Sequence, residues 1–203
     1  MSEMQTETKP VENVPSVLDA IYGRRSVRDY APDRIDQATI QSLLMAAVQA
    51  PTAMHEEPWA FVVVQDREKL RRLSDRAKEL LASEADAIHS LGARHALDRF
   101  TQADFNVFYN AGTMIAVCGK SVGPFVVSDC WLAAENLMLA AWAKGLGSCV
   151  IGLAVSALNS PEWRRELEIP AEVTVFAPII LGIPMGITAS VPRRPPQILS
   201  WKR

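Results

Sequence analysis

Residues Cys130 to Trp142 read Cys-Trp-Leu-Ala-Ala-Glu-Asn-Leu-Met-Leu-Ala-Ala-Trp, a helical stretch with a single charge and almost no polar face. A helix that meets water keeps a polar stripe on that side, so one that is apolar nearly all round has to be covered nearly all round. In a chain of 203 residues this leaves two arrangements: a central helix wrapped by the rest of the chain, or a helix at a contact between subunits. Ser128 or Asp129 can cap this helix, and Gly145-Leu146-Gly147 stops it. Asp129, Glu135 and Lys144 interrupt the wider apolar window from Ser128 to Val155, which argues against a membrane span.

The rest of the chain supplies elements to cover such a helix. Val17, Leu18, Ile21 and Tyr22 have helical spacing, with Pro15 in the first turn, and Asp36 caps a second helix carrying Ile40, Leu43, Leu44, Ala47 and Val48. A loop bracketed by Pro51 and Pro58 leads into Ala60–Gln65, a strand expected to be buried on both faces. Asp66–Ala87 is an amphipathic surface helix through Leu70, Leu73, Ala77, Leu80 and Leu81. Residues 88–110 are less regular and could lie over a pocket or form a second surface helix. Gly112–Cys118 is a second buried strand, and Ser148–Ala154 a short apolar segment. Pro161 begins a further helix, and Val173–Leu181 is a strand in which Pro178 predicts an edge position or a bulge. Val191-Pro192-Arg193-Arg194-Pro195-Pro196 is too rich in proline for a helix and reads as a stiff arm that needs a surface to lie on.

Hydrophobic residues at 49% and charged residues at 22% describe a folded chain, and a net charge of -2 argues against a dedicated nucleic-acid binder. Residues 1–13 are polar, without the apolar core of a secretory signal, so the expectation is a loose tail, a single domain over residues 14–203 and a cytoplasmic location. Cys118, Cys130 and Cys149 form no Cys-x-x-Cys pair and read as buried reduced thiols. His89 and His95 lack metal-ligand spacing, and no Gly-x-Gly-x-x-Gly follows a strand, so neither a metal site nor a Rossmann nicotinamide site is indicated. Trp59, Trp131 and Trp142 belong to core or interface.

Against this near-neutral background two arginine clusters stand out: Arg24-Arg25-Ser26-Val27-Arg28 and Arg193-Arg194. Guanidinium groups remain charged and bind two oxygens at once, which suits a phosphate. The alternative is arginine in the last turn of a helix, complementing its dipole.

The order of four motifs is more specific. Arg-Arg-Ser-x-Arg at 24–28, Pro-Thr-Ala followed by Pro-Trp over 51–59, Gly-Leu-Gly-x-x-x-Ile-Gly at 145–152 and Arg-Arg-Pro at 193–195 together resemble the nitroreductase family of FMN-dependent oxidoreductases, over about Val14 to Trp201. The resemblance implies an α+β fold, with a mostly antiparallel central sheet flanked by helices and a C-terminal arm reaching the partner subunit. It also implies a homodimer with FMN at the interface, NADH or NADPH as electron donor, and a small electron-poor acceptor such as a nitroaromatic, quinone or enone.

By the same resemblance, Arg24, Arg25, Ser26 and Arg28 bind the flavin phosphate, ribityl chain and pyrimidine edge, while Pro51, Thr52 and Ala53 pack on the flavin from the partner. Ile151, Gly152 and Leu153 place a backbone N–H at flavin N5, and Arg193 or Arg194 completes the phosphate site. No side-chain acid or base is expected, because the flavin carries the chemistry. Where many relatives have Asn-x-Gln before Pro-Trp, this chain has His55-Glu56-Glu57. His55 can still donate to a flavin carbonyl, whereas a charge on Glu57 would disfavour an anionic reduced flavin. Other flavin chemistry on the same fold, or a non-catalytic FMN-binding dimer, are the alternatives.

Overall fold

The fold grows from two strands whose apolar runs leave no face for water. The computed structural model describes residues 15–86, 100, 102, 104–120 and 123–203. It contains a four-stranded antiparallel sheet in the order β1-β2-β4-β3, built from β1 (Trp59–Val64), β2 (Thr113–Gly119), β3 (Gly147–Val150) and β4 (Thr174–Gly182). All seven residues of β2 are buried.

Side chains along a strand alternate between faces. Met114, Ala116, Cys118 and Ile180 therefore join one core with Leu70, Leu73 and Ala77 of helix α3 (Arg67–Asp86). Ile115, Val117, Ile179 and Leu181 join a second core with Leu43 and Ala47 of α2 (Gln37–Ala47) and with the apolar helix α4 (Val126–Ala143). The short helices α5 (Val155–Leu158) and α6 (Pro161–Glu166) lie on the α3 side, through Ala157, Leu158 and Trp163. Helix α1 (Val17–Gly23) packs on α4. The result is an α+β arrangement of helices on both faces of one antiparallel sheet.

Several local expectations are revised. The first helix is capped by Ser16, in a reciprocal capping box with Asp19, so Pro15 precedes the cap and does not lie in the first turn. The Ser16 hydrogen bonds also hold the Asp19 carboxyl below its ordinary range. Among the described residues the first strand is an edge strand, and Val63 is 40% exposed. Neither Ser128 nor Asp129 caps α4, which starts at Val126. The Ser128 hydroxyl donates to the Phe125 carbonyl, and the Asp129 carboxylate turns away to the Ala53 N–H.

Pro178 does not put its strand at an edge, since β4 runs between β2 and β3. The register shift at Val117/Cys118 leaves Phe176 as an extra residue two places earlier, so a bulge is present beside the proline. The proline itself is tolerated because its carbonyl accepts the Ile151 N–H at 2.8 Å, while the Ile151 carbonyl, which a proline cannot serve, is taken by the Ala154 N–H at 3.0 Å. Thus Pro178 ends the β3 ladder and turns the chain at Gly152.

Expectations for the tail, for His89 and His95 and for most of the 88–110 segment lie outside the described residues. Of the remainder of that segment, Val107 and Phe108 are core residues. No described helix is long and apolar enough to cross a membrane.

Leu137 of α4 is fully buried between α2 and the sheet. Leu137→Ala should lower unfolding stability by about 2–5 kcal/mol, the range for removing a core leucine, as read from the midpoint of denaturant unfolding at unchanged slope.

Candidate functional site

Gly23 ends α1 where the backbone passes under an aromatic ring: a Cβ there would sit 2.3 Å from Trp142. Beyond it the arginine segment is extended and adds to the outer edge of β3. Ser26 forms a parallel bridge with Ser148, and the Val27 N–H donates to the Ser148 carbonyl at 3.1 Å. Residues Asp29 to Ala31 pair in turn with Ile183 to Met185. The Val27 side chain is buried, and a Cβ on Gly147 would meet it at 2.8 Å. A glycine at 147 is what lets the segment lie this close.

Main-chain pairing at Val27 leaves Ser26 and Arg28 on the exposed side. The Arg28 guanidinium stacks 5.7 Å from the Tyr109 ring centroid, a contact that fixes a planar cation over an aromatic face. Arg24 is half-buried, with Nε 3.4 Å from Glu135 of α4. Arg25 behaves differently: one of its terminal nitrogens donates to the Tyr22 and Arg24 carbonyls, at 2.7 and 2.8 Å. Arg25 lies beyond the last turn of α1 and ties down its carbonyl end. A cavity of about 440 Å³ is lined by Gly23, Arg24, Arg25, Trp142, Ser148 and Thr188 among others. Ser148 is 2% exposed, and its hydroxyl has no hydrogen-bond partner among the described residues.

Along β3 the chain leads from Ser148 directly to the turn made by Pro178. Ile151 is buried, Gly152 is exposed and Leu153 packs on the core, and the three open the 3-10 turn Gly152–Ala154. No described residue accepts the Gly152 N–H, and a Cβ placed on Gly152 would meet nothing within 4 Å. An unpaired main-chain donor therefore stands beside open space, on the same strand that carries the arginine segment.

The Pro51–Pro58 loop is elsewhere in the chain. It enters β1, at the far edge of the sheet, three inter-strand steps or roughly 14 Å from β3. Its backbone is strained: Met54, His55 and Glu57 have φ of 54°, 57° and 45°, a region that costs a residue with a side chain on the order of 1–2 kcal/mol. The Ala53 N–H is held between the two oxygens of Asp129, at 3.4 and 3.3 Å. Thr52 and Ala53 are half-buried, while Pro51 and His55 face solvent. Arg193 and Arg194 lie in an exposed arm, and no hydrogen bond or ion pair joins them to a described residue.

The structure thus brings Arg24, Ser26, Arg28, Ile151, Gly152 and Leu153 onto one edge of the sheet. It does not bring Pro51, Thr52, Ala53, His55, Arg193 or Arg194 to them within one chain. Sequence reasoning missed Gly147, Ser148, Tyr109 and Asp129. Gly147 was read as a helix stop and a motif position but not as the place where Val27 docks, Asp129 was read as a cap and a break in the apolar window but not as a partner of Ala53, and nothing in the apolar run around Ser148 marked its hydroxyl as unpartnered.

The three described cysteines are buried free thiols. Burial pushes the Cys118 thiol up to about 12 and the Cys130 thiol up to about 11, and it raises Cys149 as well, against the opposing pull of Arg28, Ser26 and Arg24. Thiols held this far above neutral pH are poor nucleophiles.

Over residues 21–186 the chain matches the model of the nitroreductase family, and it belongs to that family. An Archaeoglobus fulgidus protein bearing the provisional name NADH dehydrogenase/NAD(P)H nitroreductase is 34% identical over 172 residues, covering 82% of this chain and 84% of that one. The FMN reductase (NADPH) of Bacillus subtilis is 26% identical over 184 residues, covering 90% and 71%. A crystal structure of a Bacteroides fragilis nitroreductase with bound FMN superposes with a TM-score of 0.79 at 27% identity, over 93% of this chain and all of that one.

Gly147→Ala should be felt at the arginine segment. The added methyl collides with Val27, so the variant should lose about 1–3 kcal/mol of stability, as overpacking does. Amide exchange of Val27, whose N–H bonds to Ser148, should quicken well before that of β2.

Proposed function

We propose that the protein is an FMN-dependent oxidoreductase that draws reducing equivalents from NADH or NADPH and delivers them to a small electron-poor acceptor, as a homodimer in which each flavin site uses both chains. The observation that carries this reading is the junction at β3, where cationic and hydroxyl donors stand in line with an unpaired backbone N–H at an open edge. A flavin mononucleotide needs those two things at its two ends. The orphaned hydroxyl of Ser148, walled by Arg24 and Arg25, adds to the fit.

Bound FMN supplies hydride acceptance and donation at N5, so nicotinamide and acceptor use the same site in turn. The chain's own task is to bind, orient and polarise. Arg24, Ser26 and Arg28 would hold the phosphate and the polar edge of the cofactor through charge-assisted bonds. For Arg24 this means sharing its half-exposed contact with Glu135, a pair of the kind that contributes only about 0–1 kcal/mol. Gly152 would donate its free N–H toward the hydride-transferring end, beside Ile151 and Leu153. Arg25 contributes by fixing the end of α1 beneath the neighbouring arginine. Thr52, Ala53 and His55, with Pro51 shaping their backbone, would reach the flavin of the other subunit, and Arg193 or Arg194 on the exposed arm would close the phosphate end.

Support for two chains comes from what one chain leaves uncovered. On α1, Val17, Leu18, Ile21 and Tyr22 are exposed, and on α4 so are Val127, Trp131 and Leu132. Neighbouring helices with this much apolar surface in water mark an interaction face. Along the arm, Ile187, Val191, Ile198, Leu199 and Trp201 are exposed as well. The helix whose composition demanded cover on every side has it from the sheet, α2 and α1, and a second copy would supply the remainder.

Purified full-length protein should bind FMN, and anaerobic mixing with NADH or NADPH should bleach the visible flavin absorption, with an added quinone or nitroaromatic restoring it. Flavin that binds but stays oxidised with both nicotinamides would contradict the enzymatic reading. Arg24→Ala should weaken FMN binding by about tenfold or more, the loss of one charge-assisted hydrogen bond, at an unchanged unfolding midpoint of the flavin-free protein. Leu132→Glu, at a position exposed in one chain, should shift the sedimentation coefficient from dimer to monomer.

A further inference from the structure

Asp129 is 5% exposed, in the first turn of α4, and the catalytic reading leaves it without a task. A buried carboxylate normally gathers several donors. The one N–H given to this carboxylate by the described residues comes from Ala53, 76 positions away in sequence, and it lies between both oxygens at 3.4 and 3.3 Å. Between Pro51 and Glu57 this is the only hydrogen bond from the loop to any other part of the described chain; the Glu56 N–H, by contrast, returns to Ala53 within the loop. Immediately after Ala53 the backbone enters the left-handed region at Met54 and stays there through His55. Neither residue is the glycine that region favours. A strained conformation persists only where its surroundings over-determine it, and the Asp129 contact is the tie placed to do so.

We propose that Asp129 is a positioning residue: by holding the Ala53 N–H it keeps the Pro51–Pro58 loop in its left-handed form, and so presets the face that Thr52 and His55 offer to the neighbouring subunit's flavin. The clamp itself stands on the geometry of one chain; its consequence for the flavin rests on the FMN reading above. A rival role for the same carboxylate is to complement the positive end of the α4 dipole. The two differ in what they protect, since a clamp shields the Ala53 amide and a dipole partner stabilises the helix.

The test is site-resolved amide exchange on the full-length, flavin-free protein, with Asp129→Asn and Asp129→Ala beside it. Asparagine keeps an acceptor oxygen and loses the charge, whereas alanine loses both. The clamp predicts that Ala53 exchange rises about tenfold or more in Asp129→Ala, the loss of a hydrogen bond to a charged group, and much less in Asp129→Asn, while β2 exchange is unchanged in both. FMN affinity should fall in the same order. Ala53 exchange that is equal in all three proteins overturns the proposal, as does an Asp129→Asn variant that matches Asp129→Ala and loosens α4 and β2 together. Should the alanine variant fail to fold, Asp129→Ser, too short to reach Ala53, takes its place with the same two outcomes. Wild-type protein that takes up no FMN would refute the cofactor reading alone, because the exchange result decides the clamp without flavin.

Discussion

The structure depends on the burial of α4. Its inner side, through Cys130, Ala133, Ala134, Leu137 and Ala141, fills the space between α2 and the sheet. Small alanines on that face let the helix approach the sheet closely, and the large residues Trp131 and Leu132 are left pointing to water. This partition gives the helix two jobs. One face completes a core within the chain, while the other belongs to an apolar band with α1 that a second copy would bury. Hydrophobic stabilisation scales with apolar area removed from water, roughly 25 cal/mol per Å², so a band of this kind favours association without any polar contact.

The same helix connects the two halves of the proposed site. Near its N-terminus Asp129 takes hold of the Pro51–Pro58 loop, further along Glu135 meets Arg24, and Trp142 covers Gly23 where the arginine segment begins. The halves nevertheless lie at opposite edges of the sheet. One chain can present both but cannot join them, so a site made of both halves requires two chains. Proline at 178 and glycine at 147 do the local work at the β3 edge: one ends a ladder so that Gly152 is left with a free N–H, and the other removes a side chain so that Val27 can dock.

Much of this was legible in the residues. The apolar runs read at Gly112–Cys118 and Val173–Leu181 fall within a residue of the observed strands Thr113–Gly119 and Thr174–Gly182, and Asp36 is the cap its type and position suggest. The α+β class and the family were readable from motif order. What the sequence could not show were facts of pairing. Pro178 pointed to an edge or a bulge; the bulge is present, at Phe176, but the strand is central, because the β3 partner leaves at that residue. Val63 read as core because its strand is as apolar as β2, although among the described residues β1 is an edge strand and Val63 is 40% exposed. Asp129 read as a cap because local spacing cannot see an amide 76 residues upstream. Ser148 carried no signal at all, since an orphaned hydroxyl is a property of its surroundings.

The central claim is that a flavin site needs the arginine edge of one chain and the loop of another, and subunit complementation tests it most directly. One chain would carry Arg24→Ala with Arg28→Ala, and a second, differently tagged chain would carry Thr52→Glu. Each alone would form dimers whose two sites are both defective. Mixed dimers, isolated through both tags, would contain one intact site and one doubly defective site, and should recover wild-type FMN affinity at one flavin per dimer. Mixed dimers that bind FMN no better than either parent would contradict a site shared between chains.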